Sequence, residues 1–115
     1  MHQRGEIVLG RFPFTDGSGA KFRPLLVLAA APGSYPDYLV MFITSQLTHA
    51  VPGVDLVLGP GDPQFAGTGL KVASAFRVGK IATISDALIA GSLGQLASAA
   101  HDMVVARLVD LLRQT

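Results

Sequence analysis

The 115-residue sequence predicts a single, mainly β domain closed by one C-terminal helix. Two observations predict this fold class. Short aliphatic or β-branched segments, separated by Gly- and Pro-rich turns, recur through most of the chain. Near the C-terminus the spacing of apolar residues changes from two to nearly four, which is typical of a helix. The simplest arrangement is a small, strongly bent barrel of about five to seven strands around one core.

The first half of the sequence predicts strands around one polar loop. The apolar EIVLGRF at residues 6–12 is followed by the glycine-rich TDGSGA at residues 15–20. PLLVLAA at residues 24–30 is continuously apolar, as in a strand buried on both faces. After the turn PGSYPD, the strand YLVMFITSQ at residues 38–46 becomes polar from Thr44 onward. If these last two strands are antiparallel neighbours, the polar end of one lies beside the start of the other.

The second half predicts shorter strands and then the helix. VDLVL at residues 54–58 is a short strand, and VASAFRV and KIATI are weaker candidates after a Gly- and Pro-rich loop. From residue 92 onward the spacing becomes helical, with Ser98 as the expected N-cap. The apolar face of the helix comprises Leu96, Ala100, Val104, Leu108, Leu111 and Leu112, widened by Val105 and Val109. A face this wide indicates deep packing against the sheet or a subunit interface.

The composition excludes several classes of protein. Half of the residues are hydrophobic and 15% are charged, which argues against disorder. The longest aliphatic run, residues 25–31, is far shorter than the roughly 20 residues that a bilayer span requires. The N-terminus lacks the apolar segment of a secretory signal, and the sequence has no Cys. We therefore expect a cytoplasmic protein without membrane contact.

Seven of the nine Lys and Arg residues fall into two groups along the chain, although the net charge is only +1. One group occupies the first fifth of the sequence, and the other lies between residues 71 and 80, with no Lys or Arg from residue 24 to residue 70. If the fold brings the groups together, they form one basic face. The alternative is that the cations are scattered over a solvated surface. The cations concerned are Arg4, Arg11, Lys21, Arg23, Lys71, Arg77 and Lys80.

The sequence lacks the usual patterns for metal, nucleotide and serine-nucleophile chemistry. There is no Cys, and His2, His49 and His101 lie far apart, so we expect no metal and no cofactor. In GSGAKF, Phe22 stands where a phosphate-binding loop has Ser or Thr. No G-x-S-x-G elbow is present either.

Arg23 is the remaining candidate for chemistry, because it stands directly before Pro24 at the start of a strand. For an arbitrary arginine, the simpler interpretation is a stem on apolar surface and a charge in water. Here Pro24 fixes the chain direction, and the expected strand pairing puts Thr44 beside Arg23. A permanent cation next to a hydroxyl suits a phosphodiester, whose transition state gathers negative charge.

The stretch GEIVLGRFPFTDGSGAKFRPLLVLA, followed by FITSQ, resembles the MazF/PemK family of toxins from bacterial toxin-antitoxin pairs. GLKVASAFRVGKIATI and LGQL resemble the second half of the same family. The resemblance implies a single SH3-like barrel domain over residues 1–115, a homodimer, and neutralisation by a cognate antitoxin. It also implies metal-independent, sequence-specific cleavage of single-stranded RNA. In that reaction the 2′-hydroxyl of the RNA attacks the adjacent phosphorus and leaves 2′,3′-cyclic phosphate and 5′-hydroxyl ends.

The resemblance also implies roles for individual residues. The catalytic Arg and Thr of the family fall on Arg23 and Thr44. Because a guanidinium is a poor base, we expect Arg23 to stabilise charge and to donate a proton to the 5′-oxygen. The loop Glu of many relatives has no counterpart between Asp16 and Arg23, so Asp16 is the candidate substitute, with a solvated turn residue as the alternative. The residues expected to bind RNA are Lys21, Ser45, Gln46, Asp16 and Lys71.

Other residues nearby have structural interpretations that compete with RNA binding. We expect Phe14 and Phe22 to anchor the loop rather than to stack on bases, and Arg77 to tie strands or subunits together. His49 is expected to be an exposed loop residue. The alternative function is a non-catalytic protein of the same fold, which binds antitoxin or DNA or poisons gyrase as CcdB does. The missing loop acid and the low net charge motivate this alternative.

Overall fold

The computed structural model describes residues 1–14 and 21–114. Within them the chain forms a β-rich fold with one α-helix at its end. The elements are β1 (Glu6–Arg11), β2 (Phe22–Ala30), β3 (Asp37–Thr44), β4 (Leu56–Leu58), β5 (Ser74–Ser85), β6 (Ile89–Gln95) and α1 (Ser98–Arg113). Short 3-10 turns cover Leu47–His49, Ala66–Thr68 and Asp86–Leu88. No helix in the described part of the chain is long and apolar enough to cross a membrane.

The strands form one six-stranded sheet in the order β4-β5-β3-β2-β1-β6, with antiparallel pairing throughout. The turn Ala66–Thr68, which follows the edge strand β4, packs against β6 at the opposite edge. The approach is close, since a Cβ atom on Gly94 would collide with the backbone of Gly67 and Thr68. The sheet therefore curls toward closure. The predicted fold class, mainly β with a C-terminal helix, is confirmed.

The register between β2 and β3 determines which side chains meet at the end of this hairpin. Leu25 pairs with Phe42, and Leu26 pairs with Met41, so the expected antiparallel pairing of the two strands is confirmed. Continuing this register by two residues places Arg23 opposite Thr44.

The hydrophobic core lies on both faces of the sheet, because successive strand residues point to opposite sides. Leu26 and Leu28 join the cluster under α1, which includes Ala100 and Val104 of the helix. Leu25 and Val27 join a second cluster on the other face. All four β2 side chains are buried, as predicted for a strand covered on both faces. Each fully buried aliphatic side chain of this kind contributes about 1.5–3 kcal/mol.

Several predicted boundaries differ from the structure. From Ser74 onward, VASAFRV and KIATI form one long strand, β5, because Gly79 continues the strand without a break. Strand β6 lies partly where a helical pattern was expected. Its residues are mostly exposed and include two glycines, so the sequence shows no alternation.

The helix begins near residue 98, as predicted. The predicted N-cap is wrong, and the predicted apolar face is partly wrong. Ala97, not Ser98, occupies the N-cap position, and no side chain caps the helix. Leu108 and Leu111 pack against the core, whereas Leu112 is 71% exposed. Successive helix residues are about 100° apart, so Leu112 lies off the face on which Leu108 and Leu111 meet the core.

Candidate functional site

A groove of about 730 Å³ opens where β2 begins and β3 ends. Its walls come from the start of β2, the end of β3, the first part of β5 and Leu93 of β6, together with residues 69–72. Arg23 of β2 and Thr44 of β3 both line the groove. Arg23 is exposed, while Thr44 is half-buried. The sheet register therefore brings together Arg23 and Thr44, the two residues that the sequence predicts to act on a phosphodiester.

The Thr44 hydroxyl is oriented by its own chain. Its oxygen accepts a hydrogen bond from the Gln46 backbone N–H at 3.1 Å. Because this bond uses the oxygen as an acceptor, the hydroxyl hydrogen stays available for donation to another group. The same bond turns the chain after β3, so that Ser45 and Gln46 also line the groove.

The charged side chains that line the described part of the groove are cationic. Arg23 comes from the first group of cations, and Lys71, Arg77 and Lys80 come from the second. No Asp or Glu belongs to the lining within residues 1–14 and 21–114. The fold thus brings members of the two groups to one basic surface, and converging cations of this kind attract a polyanion.

Arg77 links this groove to the interior. Its Nε donates to Asp55 Oδ2 at 2.9 Å, and the Asp55 carboxylate also accepts the backbone N–H groups of Val51 and Val78. Arg107 of α1 donates to the Asp55 carbonyl at 2.7 Å. The expectation that Arg77 ties strands together is confirmed by these contacts.

Only some of the other predicted RNA-binding residues lie in the groove. Lys71, Ser45 and Gln46 line the groove, whereas Lys21 is exposed and does not line it. Asp16 lies outside the residues that the structure describes.

The aromatic residues near the loop behave mainly as anchors. Phe14 packs edge-on against Phe42 with ring centroids 4.8 Å apart, and it also contacts Phe12. Phe14 is only half-buried and lines the groove as well. Phe22 is 42% exposed, and the Arg11 guanidinium lies 4.7 Å from its ring centroid. Anchoring therefore describes Phe14, while Phe22 belongs to a cation-π pair on the surface.

Two further residues, Lys80 and His49, line the groove without a site role predicted from the sequence. For Lys80 the available signal is its place in the second group of cations. His49 is exposed, as expected, but the turn Leu47–His49 places it in the lining. An imidazole is the side chain best able to exchange protons near neutral pH.

Outside the groove, a smaller cavity of about 360 Å³ lies at the start of α1. It is lined by His101 and by the exposed ion pair between Arg4 and Asp102. Burial, followed by the charge of Arg4, lowers the pKa of His101. In the described residues no three His, Cys, Asp or Glu side chains come together as metal ligands would.

By its fold the protein is a small antiparallel β domain with a terminal helix, and the Lys and Arg side chains of its groove form a cationic lining. The sequence model of the PemK-like, MazF-like toxins of type II toxin-antitoxin systems matches residues 3–112, so the chain belongs to this family. Among solved structures, an endoribonuclease in complex with its cognate antitoxin from a mycobacterial species is similar, with a TM-score of 0.70. The two share 15% sequence identity, and the match covers 100% of this chain and 98% of the other. No curated protein matches the chain.

Proposed function

We propose that this toxin is a sequence-specific endoribonuclease that cleaves single-stranded RNA, including messenger RNA in the cytoplasm, without a metal ion. The observation that carries the proposal is the meeting of Arg23 and Thr44 in a groove whose described charged lining is cationic. Family membership supports the toxin role. The TM-score of 0.70 with an endoribonuclease is compatible with it.

In the proposed reaction the substrate supplies its own nucleophile. The ribose 2′-oxygen forms a bond to the adjacent phosphorus, and the bond from phosphorus to the 5′-oxygen breaks. The products are a 2′,3′-cyclic phosphate and a 5′-hydroxyl. A base takes the proton of the 2′-hydroxyl, and an acid gives a proton to the departing 5′-oxygen.

Arg23 and Thr44 act on the phosphate in this scheme. The Arg23 guanidinium stabilises the negative charge that develops on the phosphoryl oxygens and donates the proton to the 5′-oxygen. The Thr44 hydroxyl, whose oxygen is held by the Gln46 N–H, donates to a phosphoryl oxygen. By analogy with the donors of an oxyanion hole, loss of either one is expected to slow cleavage about 10²-fold or more.

The proton acceptor has two candidates. His49 lines the groove, and Asp16 stands seven residues before Arg23 in the sequence. Substitution of each residue in turn, His49→Gln and Asp16→Asn, identifies the base as the one whose loss removes the acidic limb of the pH-rate profile.

The polar groups at the end of β3 suit recognition of bases. Ser45 and Gln46 can exchange hydrogen bonds with base edges, while Lys71 and Lys80 bind the backbone of the RNA. Lys21, which is exposed at the end of the loop, is proposed to reach a phosphate outside the groove. We also propose a homodimer and a cognate antitoxin, whose acidic segment would compete with RNA for the same cations.

The test is cleavage of a broad panel of single-stranded RNAs by purified protein in EDTA. Wild-type protein should cut, and Arg23→Ala and Thr44→Val should lose activity about 10²-fold or more while remaining folded. Arg4→Ala serves as the matched control, because Arg4 lies outside the groove. Wild-type protein that is inert on the panel would contradict the proposal.

The absence of a carboxylate from the described lining favours one alternative, a non-catalytic member of the fold. Such a protein binds antitoxin or DNA, or poisons gyrase in the manner of CcdB. Toxicity that survives Arg23→Ala, or gyrase inhibition without RNA cleavage, supports this alternative.

A further inference from the structure

Arg77 faces two environments at once. On one edge its Nε donates to the Asp55 carboxylate at 2.9 Å, and the residue also lines the groove. About 18% of the Arg77 side chain is exposed. A guanidinium presents donors on more than one edge, so an arginine whose Nε is occupied still offers its Nη atoms to a second acceptor.

Asp55 is itself held from several directions. Its side chain is 2% exposed, and its Oδ2 accepts from Arg77 Nε and from the Val51 N–H. Its Oδ1 accepts from the Val78 N–H at 2.9 Å. The Arg107 guanidinium on α1 binds the Asp55 carbonyl, which fixes the backbone. The carboxylate therefore cannot rotate without breaking these bonds.

We propose that Asp55 is a positioning residue for RNA binding, which holds Arg77 so that its Nη atoms bind a phosphate of the RNA in the groove. The inference rests on the proposed function. A free arginine loses rotamer freedom when it binds a phosphate, and Asp55 removes that freedom during folding. The bidentate fork of arginine suits this double use, because one group can serve a carboxylate and a phosphate together.

For the RNA affinity of Asp55→Asn, the proposed role predicts the opposite of what charge alone predicts. Asp55 carries a negative charge next to a cationic groove, so its neutralisation by Asp55→Asn raises the net charge of the region. If charge alone determined RNA affinity, Asp55→Asn would tighten binding. If Asp55 positions Arg77, the same variant weakens binding because the guanidinium is no longer held.

The experiment measures the affinity for a non-cleavable oligonucleotide, which carries 2′-deoxyribose at the site that wild-type protein cuts, by fluorescence anisotropy. Asp55→Asn and Arg77→Met should each weaken binding about tenfold or more. The double variant should bind no more weakly than Arg77→Met alone, since Asp55 acts through Arg77. In cleavage assays KM should rise while kcat changes little, whereas partial misfolding would lower the apparent kcat.

Asp102→Asn is the matched control. It removes the carboxylate of another Arg-Asp pair, with Arg4, which lies outside the groove. We expect its affinity for the oligonucleotide to stay within about twofold of wild type, because a distant exposed charge acts weakly through solvent.

If Asp55→Asn does not fold, Arg77→Lys tests the proposal instead. The lysine retains a positive partner for the buried Asp55, so thermal unfolding should show a folded protein. Its single ammonium group lacks the second edge that reaches the phosphate, and binding should weaken about tenfold. Asp55→Asn that binds as tightly as wild type, or Arg77→Lys that retains wild-type affinity, overturns this inference alone. Wild-type protein that neither binds nor cuts RNA overturns the proposed function together with it.

Discussion

The contact between β6 and the turn Ala66–Thr68 can be tested by substituting Gly94. A Cβ atom at this position would lie 2.6 Å from the Thr68 carbonyl oxygen and closer still to that of Gly67. Ordinary contact between a carbon and an oxygen requires more than 3 Å. Both neighbours are backbone atoms, so they cannot move aside by a simple change of rotamer. Gly94→Ala must therefore separate the turn from β6.

The expected cost is about 2–3 kcal/mol in the free energy of unfolding, the upper part of the range for overpacked sites. For a domain of this size that loss lowers the Tm by about 8–15 °C. The assay is thermal unfolding followed by circular dichroism. Gly91→Ala is the matched control, because it lies on the same strand and a Cβ there meets nothing within 4 Å. We expect its Tm to stay within about 2 °C of wild type.

The same contact holds one wall of the groove. Gly69 and Lys71 follow the turn Ala66–Thr68 directly and line the groove together with Leu93 of β6. Gly94→Ala should therefore also weaken binding of RNA. A Gly94→Ala protein as stable as Gly91→Ala would refute the reasoning, because the turn and β6 would then have room between them.

The remaining predictions concern the helix and the pH dependence of stability. Val104 of α1 is fully buried in the core, so Val104→Ala should lower the free energy of unfolding in urea by about 1–3 kcal/mol. The neighbouring Met103 side chain is 45% exposed, so Met103→Ala should stay within about 0.5 kcal/mol of wild type. Equal losses in these two variants would contradict the packing of the helix. Because burial holds the pKa of His101 below its ordinary value of 6.5, the unfolded chain binds a proton more readily than the folded one. Stability should therefore fall as the pH drops below about 6.5, and it should level off below the pKa of His101 in the folded protein. In urea titrations His101→Leu should reduce this dependence on pH. An unchanged dependence would show that other groups cause it.

The part of the site that depends on local pattern was predictable from the sequence. Strands β2 and β3 follow one another along the chain with one turn between them, so their antiparallel pairing and the meeting of Arg23 with Thr44 follow from strand periodicity. The arrival of Lys71 and Lys80 in the same groove depends on the pairing of β3 with β5. Those strands are far apart in the sequence, and their register leaves no local signal.

Other features were missed for identifiable physical reasons. Strand β6 lies at the sheet edge with most of its side chains exposed, so neither alternation nor a hydrophobic run indicates it. The buried Asp55 carried a usable signal, since an isolated acid inside the apolar VDLVL implies a buried partner. The partner itself, Arg77, is separated from it by 22 residues and could not be chosen from the sequence.

The most direct measurement of the central claim is the chemistry of the RNA ends. Purified protein is incubated with a mixed single-stranded RNA in EDTA, and the new ends are mapped by methods that distinguish 5′-hydroxyl from 5′-phosphate and cyclic from linear phosphate. The proposed mechanism predicts 5′-hydroxyl and 2′,3′-cyclic phosphate ends at a defined sequence, lost in Arg23→Ala and retained in Arg4→Ala. Ends with a 5′-phosphate, or cleavage that Arg23→Ala leaves unchanged, would contradict it.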